Sequence, residues 1–286
     1  MKDTIFYPNL TLNVKGILRE FTKPVVMGIL NTTPDSFYEQ SRVTSNDEVL
    51  KKAAVMIDEG AEILDIGGYS SRPGALEISV EEELRRTTEV IGAVKIAFPE
   101  ILISIDTFRS QVAAAGVLAG ADIINDISGG MADPKILEVA GKYECPYILM
   151  HMRGTPQTMM YEMNYSNLLE DVEIYFRNQV EKAKGFGIKD VILDLGFGFS
   201  KTKDQNYLLL KNLAQFHSLN CPILVGISRK SMIYKSLNQT AEDSLNGTTV
   251  LNTMALLNGA QILRVHDVKA AVEAIKLVGL LNGVSC

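Results

Sequence analysis

Eight short runs rich in Ile, Val and Leu recur along the chain: VVMGIL, EILDIGG, ILISIDT, DIINDIS, PYILMHM, VILDLGF, PILVGIS and ILRVHD. Their apolarity is near-continuous rather than alternating, as expected of strands covered on both faces in a parallel sheet. Between them lie segments with helical character, including SNDEVLKKAAVMIDEGA, SVEEELRRTTEVIGAVKIAF, FRSQVAAAGVLAGA and NYSNLLEDVEIYFRNQVEKAKGFG. Several begin at Ser or Asn, which satisfy the first free N–H groups of a helix, and stop at Gly, which turns the chain out of it. Eight strand-then-helix units without a Pro/Gly/Ser-rich linker predict an α/β fold, a single (β/α)8 TIM barrel, over a doubly wound sheet. The opening stretch TIFYPNLTLNVKG reads as an N-terminal β-hairpin sealing the barrel floor.

Composition narrows the class. At 286 residues the chain could hold two average domains, but barrels of this kind commonly form one unit, so residues 1–286 are read as one domain. Hydrophobic residues make up 47% and charged residues 22%, and Gly, Asp or Asn breaks each apolar run well before the ~18 residues of a membrane span. With 28 Lys+Arg against 34 Asp+Glu the net charge is −6, which argues against a general nucleic-acid partner, because displacing counterions needs a basic surface. Any anion site must be local. The start, MKDTIFYPNL, meets Pro and Asn too early for a secretory leader, so the expected compartment is the cytoplasm. Cys145, Cys221 and Cys286 lack zinc-type spacing, and buried free thiols are the simplest reading.

Chemistry should sit where the strands end, since barrels build their sites from C-terminal strand ends and the loops after them. Those ends carry Asn31 with Asp35; Asp65 with Ser70, Ser71 and Arg72; Asp106 with Thr107; Asn125 with Asp126; Met150 with His151 and Arg153; Asp194; Ser228 to Ser231; and Arg264 with His266 and Asp267. Eight ends that together supply carboxylates, carboxamides and cations point to a convergent pocket. Asp65, Asp126 and Asp267 also fit turn or capping roles, for which Asp is strongly favoured. Arg264 and His266, two apart on one strand, share a face and can grip one anion together. GFGFSKT lacks the spacing of a phosphate-binding P-loop, and Ser228 has no His/Asp partner in a nucleophile pattern.

Laid side by side, MGILNTTPDSF, LDIGGYSSRPGA, SIDTFRSQVAAAGVLAGADIINDISGG, LMHMRGTPQTM, LDLGFGFSKT, VGISRKSMI and LRVHDV resemble the dihydropteroate synthase family, in the family's order. The resemblance implies a transferase of folate biosynthesis, the sulfonamide target. It would join 6-hydroxymethyl-7,8-dihydropterin diphosphate to p-aminobenzoate with release of pyrophosphate. Asp106, Asn125, Met150, Asp194 and Lys230 would then hold the pterin, whose guanidine-like edge suits a carboxylate accepting two hydrogen bonds. Asn31, Arg72, Arg264 and His266 would meet the diphosphate, with Asn31 also meeting its Mg²⁺, the one expected cofactor. Asp35, Arg72, Lys230, Arg264 and His266 form the implied catalytic set, and Thr33 to Phe37 a mobile lid. Phe37, Ser71, Pro73, Phe199, Lys230 and Ser231 would shape the p-aminobenzoate site. Departure of the diphosphate would leave a cation delocalised into the dihydropterin, a dissociative cleavage that needs no protein nucleophile.

The chain departs from the family's commonest pattern at Tyr69, where Glu is frequent, at Ser71, where Thr is, and at Ser200, where Gly precedes Lys201. These touch the geometry of the second loop and the aryl pocket rather than the pterin or diphosphate ligands. A pterin-binding methyltransferase of the same superfamily would share the aspartates without needing the TPDSF and SSRPG loops or the Arg264/His266 pair. An inactive pterin-binding subunit would be expected to have lost Asn31, Arg72 or Lys230. The resemblance also suggests a homodimer through late helices, for which LNGTTVLNTMALLNGAQ offers an apolar, small-residue face.

Overall fold

The computed structural model of the chain describes residues 10–32, 42–70, 77–281 and 283. Within them, each of the eight apolar runs contains one strand: β3 (Val25–Asn31), β4 (Ile63–Gly67), β5 (Leu102–Asp106), β6 (Ile123–Asp126), β7 (Tyr147–Met150), β8 (Val191–Asp194), β9 (Ile223–Val225) and β10 (Ile262–Val265). All pair in parallel, and β10 returns to β3 to close the barrel. The helices on its outside include α1 (Arg42–Asp58), α2 (Val80–Ala97), α3 (Ser110–Ala119), α4 (Lys135–Lys142), α5 (Leu168–Gly185), α6 (Lys203–Lys211), the short α7 (Ser231–Tyr234), α8 (Leu245–Leu257) and α9 (Val268–Leu281).

Local chemistry sets these boundaries. Ser79 accepts from Glu82 N at the start of α2, and Asn167 from Glu170 N at the start of α5. Thr202 and Gln205 form a reciprocal capping box on α6. Gly120, at φ 125°, turns the chain out of α3. Among the described residues no helix is long and apolar enough to cross a membrane.

Strand side chains alternate between two environments. One parity (Val26, Leu64, Ile103, Ile124, Leu149, Leu193, Leu263) packs outward with the helices, and the other (Val25, Ile63, Leu102, Ile123, Ile148, Ile192, Leu224, Ile262) fills the lower barrel. An antiparallel hairpin, β1 (Leu10–Val14) and β2 (Ile17–Phe21), closes that end. Leu10, Leu12 and Val14 join the inward residues as a plug, each burial worth ~1.5–3 kcal/mol. The hairpin does seal the floor, but it runs later than expected from TIFYPNLTLNVKG, whose residues 4–9 lie outside the described residues. Its second strand is ILREF, where mainly Phe21 packs against the plug and the rest is largely exposed, so no apolar face marked it in the sequence.

Candidate active site

The inward parity that is apolar at the floor turns polar toward the C-terminal ends. Counting up from the floor residues, it reaches Asn31, Asp65, Asp106, Asn125, Met150, Asp194 and Arg264 on seven of the eight strands, and Gly226 on the line of β9. A Cβ at Gly226 would sit 3.7 Å from Arg264 Cβ and 3.9 Å from Asp194 Oδ2, so the bare backbone there lets those two side chains close over β9.

Arg264 is the hub of one half. Its Nε donates to Asp65 Oδ2 at 2.6 Å and its Nη2 to Asp106 Oδ2 at 2.7 Å. Asn125 Nδ2 donates to both oxygens of Asp65, at 3.3 and 3.1 Å. Burial pushes the Asp106 carboxyl up to about 7, against the pull of Arg264 and with a further push from the Asp65 charge. The Arg264 guanidinium is held above its ordinary value by Asp65 and Asp106, which outweigh the burial that opposes its charge. Asp65, 1% exposed, is therefore no turn residue. The sequence alone leaves its role open, and its place two residues above the inward Ile63 is the signal that separates it from Asp126. The latter has the outward parity and spends its oxygens on Tyr147 Oη, Ser128 and Gly130 N, a structural role.

Asp194 and Lys230 form the other half. Burial raises the Asp194 carboxyl, and Lys230 is the charge that most opposes this. Burial lowers the Lys230 ammonium to about 8, with Asp194 resisting. Lys230 Nζ donates to Phe197 O and lies 4.7 Å from the centre of the Phe199 ring. Phe199 packs with Ile127, Met150 and Met152 in an apolar patch that also takes in Phe108. Met150, Asp194, Lys230 and Phe199 are thus brought together, and Ser231 follows Lys230 as the first residue of α7.

Lys230 is aimed by its neighbour. Arg229 adopts φ 54°, a left-handed backbone costly for a side chain, and is fastened there by two bonds to Asp267 at 2.8 and 2.7 Å. That assigns Asp267 an anchoring role. Ser228 Oγ accepts from His266 N at 3.2 Å and lies 3.1 Å from His266 Nδ1, so its own O–H is placed to donate to the ring. The strand β10 ends at Val265, one residue before His266. Arg264 turns inward onto Asp65 and Asp106, while His266 is exposed and tied to Ser228.

The departures Tyr69 and Ser200 have local explanations. Tyr69 Oη accepts from Gln157 Nε2 at 3.0 Å and its ring meets Phe108 edge-on at 5.2 Å, joining the turns after β4, β5 and β7. Ser200 sits at φ 45°, where Gly would be unstrained, and its Oγ accepts from Arg153 N at 2.9 Å. Asp35 and Phe37 in the first loop, and Ser71, Arg72 and Pro73 in the second, lie outside the described residues.

For a metal, Asn31 offers a carboxamide at the end of β3, and among the described residues no three His, Cys, Asp or Glu side chains converge as a cage. A carboxamide oxygen is a hard donor of the kind Mg²⁺ takes beside substrate phosphates and waters.

Residues 27–266 match the family described as pterin binding enzyme. The chain is 44% identical over 271 residues to the dihydropteroate synthase of Escherichia coli strain K12, covering 94% of this chain and 95% of that one. It superposes on the Yersinia pestis dihydropteroate synthase solved with a sulfonamide drug complex with a TM-score of 0.89 and 40% identity, over 96% and 100% of the two chains. The Xanthomonas albilineans dihydropteroate synthase with 4-aminobenzoic acid gives a TM-score of 0.89 and 34% identity over 97% and 100%. With the barrel, its polar mouth and these likenesses in agreement, the chain belongs to the dihydropteroate synthases of the pterin-binding enzyme family.

Proposed function

We infer that the barrel mouth joins 6-hydroxymethyl-7,8-dihydropterin diphosphate to p-aminobenzoate, giving 7,8-dihydropteroate and pyrophosphate. The observation that carries the mechanism is the set of two inward carboxylates and two cations at the mouth, with Asp106 bonded to Arg264 at 2.7 Å and the buried Asp194 within the field of the Lys230 charge. A pterin presents adjacent N–H donors along one edge, and Asp194 and Asp106 accept them. Asn125 and Lys230 take the remaining ring nitrogen and carbonyl, and Met150 and Phe199 supply an apolar wall.

The ring so held, its exocyclic methylene points to Arg264 and His266. The C–O bond to the diphosphate breaks and the electron pair stays on the departing oxygen. Asp65 and Asp106 occupy Nε and Nη2 of Arg264, leaving Nη1 to donate to that oxygen as charge grows on it. His266, bonded to Ser228, and Asn31 take other diphosphate oxygens in this reading. Mg²⁺ bound by the diphosphate and Asn31 would neutralise its charge. The amine lone pair of p-aminobenzoate then forms the C–N bond, and the amine gives up one proton to pyrophosphate or water. Phe199, Lys230 and Ser231 border the aryl side, with Ser231 for the carboxylate; Phe37, Ser71, Arg72 and Pro73 belong to the same proposal.

Two further readings go with it. The exposed Leu245, Val250 and Met254 of α8 and Leu277, Leu280 and Leu281 of α9 lie on adjoining helices and support a homodimer, which sedimentation would reveal. The buried free thiols of Cys145 and Cys221 suit a cytoplasmic setting.

The test is to mix the protein with the pterin diphosphate, Mg²⁺ and p-aminobenzoate and follow pyrophosphate and dihydropteroate. Equimolar formation of the two supports the reading. Pterin binding without turnover would make the chain an inactive binding subunit and overturn it.

A further inference from the structure

The GFGFSKT stretch is no P-loop, yet its lysine is almost wholly buried, with Lys201 4% exposed. Its ammonium reaches His151 Nδ1 at 2.9 Å, Gly196 O and Phe199 O at 3.1 Å each, and His151 O at 3.3 Å. All four are acceptors when His151 carries its proton on Nε2, so the three donors of an ammonium all find partners, with one shared between two acceptors. The glycines of the motif make the approach possible. Gly196 holds φ 69°, and a Cβ there would lie 2.0 Å from His151 O, so the turns after β7 and β8 can touch only without a side chain at that point.

Two of the residues that Lys201 grips, Gly196 and His151, also hold Asp194. Gly196 N donates to Asp194 Oδ1 at 2.8 Å, and His151 N donates to Asp194 O at 3.0 Å. The third gripped residue, Phe199, carries the ring over which Lys230 lies. The Lys201 charge also favours the ionised form of Asp194. One buried cation therefore sits behind the pterin side and fixes the turn on which the aryl side is built.

We propose that Lys201 is a positioning residue, a pin that locks the β7 and β8 turns together and orients Asp194 toward the pterin. This rests on the assignment of Asp194 as a pterin acceptor. Besides Asp194, the titratable or charged groups around the pin are His151, Arg153 and Lys230, with Tyr165 and Tyr175 against the His151 ring; burial lowers the Lys201 ammonium itself to about 7, with Asp194 resisting and Lys230 and Arg153 adding to the fall, so the pin carries its charge on the acid side of that value. Burial together with Lys201 and Arg153 keeps His151 well below its ordinary value, so the histidine serves as the neutral acceptor.

The test is calorimetric pterin binding from acid to neutral pH, where Lys201 holds its proton, for wild type, Lys201→Met, Lys201→Arg, Asp194→Asn and the double variant Lys201→Met/Asp194→Asn. Lys201→Met should weaken binding by about tenfold, within the usual range for groups sharing one network. It should also raise the pH below which affinity falls, because Asp194 loses a neighbouring cation. Lys201→Arg, which keeps the charge, should restore that midpoint. In the Asp194→Asn background Lys201→Met should cost little more. An unchanged affinity and midpoint in Lys201→Met, or full additivity with Asp194→Asn, overturns the proposal. If Asp194→Asn alone binds normally, the pterin assignment itself fails. Should the Lys201 variants not fold, ¹⁵N-histidine spectra of the wild-type protein decide. His151 should stay neutral with Nδ1 unprotonated and shift on adding pterin, whereas an imidazole titrating like an exposed one overturns the pin.

Discussion

Substituting Asp65→Asn keeps the size of the side chain and removes one charge from the Arg264 hub. In the native site Arg264 has Asp65 at 2.6 Å and Asp106 at 2.7 Å, and Asp65 also accepts from Asn125 at 3.1 Å. After the change, the guanidinium keeps Asp106 but loses a charge-assisted bond, and the new amide sets an NH₂ against either Arg264 or the Asn125 amide. Breaking a buried pair outright costs ~3–5 kcal/mol. Because one carboxylate remains, the loss of a single charged bond, ~2–3 kcal/mol, is the better figure. For a barrel of this size that lowers Tm by ~4–10 °C. Arg264 then swings toward Asp106, and kcat/KM for the pterin diphosphate falls by ~10- to 100-fold as Nη1 leaves the departing oxygen. The Asp65 charge is one of the influences raising Asp106, so the pH below which pterin affinity is lost should move down, not up. Differential scanning calorimetry, steady-state rates and a pH series of pterin titrations check the three effects. A Tm within about a degree of wild type, which at this size means well under 1 kcal/mol, would show that Asp65 does not hold Arg264. A midpoint moving upward would refute the charge argument.

Asp194→Asn should abolish most synthesis while circular dichroism shows an intact barrel, since one acceptor and one donor replace two acceptors facing the pterin; calorimetry should find pterin binding weaker by ~2–5 kcal/mol. Because the proposed complex needs Asp106 ionised and Lys230 protonated, kcat/KM should fall below a midpoint near 7 and again above one near 8. The carboxyl gains its proton as pH drops and the amine loses its proton as pH rises, so the profile is a narrow bell and Lys230→Met should erase its alkaline limb. Chelation by EDTA should stop turnover and Mg²⁺ restore it. In titrations, p-aminobenzoate should bind several-fold tighter, or ~1 kcal/mol, once pterin and magnesium pyrophosphate are present, and Arg72→Ala should erase much of that gain.

The barrel was legible because parallel strands buried on both faces leave an unmistakable run of Ile, Val and Leu, and all eight runs hold a strand. The outer hairpin strand was not, because ILREF packs mainly through Phe21. At the mouth, Asp106, Asn125, Met150, Asp194 and Arg264 were named from the strand ends and the family likeness, and the structure places them on the inward parity. Asp65 was left undecided because Asp suits turns equally well, and only the parity of its strand separates it from Asp126. The place of Lys201 is not legible in GFGFSKT because it depends on His151, fifty positions away in the chain, a separation that no local spacing rule spans. Nor did the spacing of Arg264 and His266 show that Asp65 and Asp106 claim Nε and Nη2 of the guanidinium.

A crystal structure with the pterin, magnesium pyrophosphate and a sulfonamide bound bears most directly on the reading of the barrel mouth. The pterin N–H edge should lie against Asp194 and Asp106 with Asn125 and Lys230 on the ring, and pyrophosphate should lie beside Arg264, His266 and Asn31. A pterin seated away from the two aspartates, or pyrophosphate remote from Arg264, would contradict it.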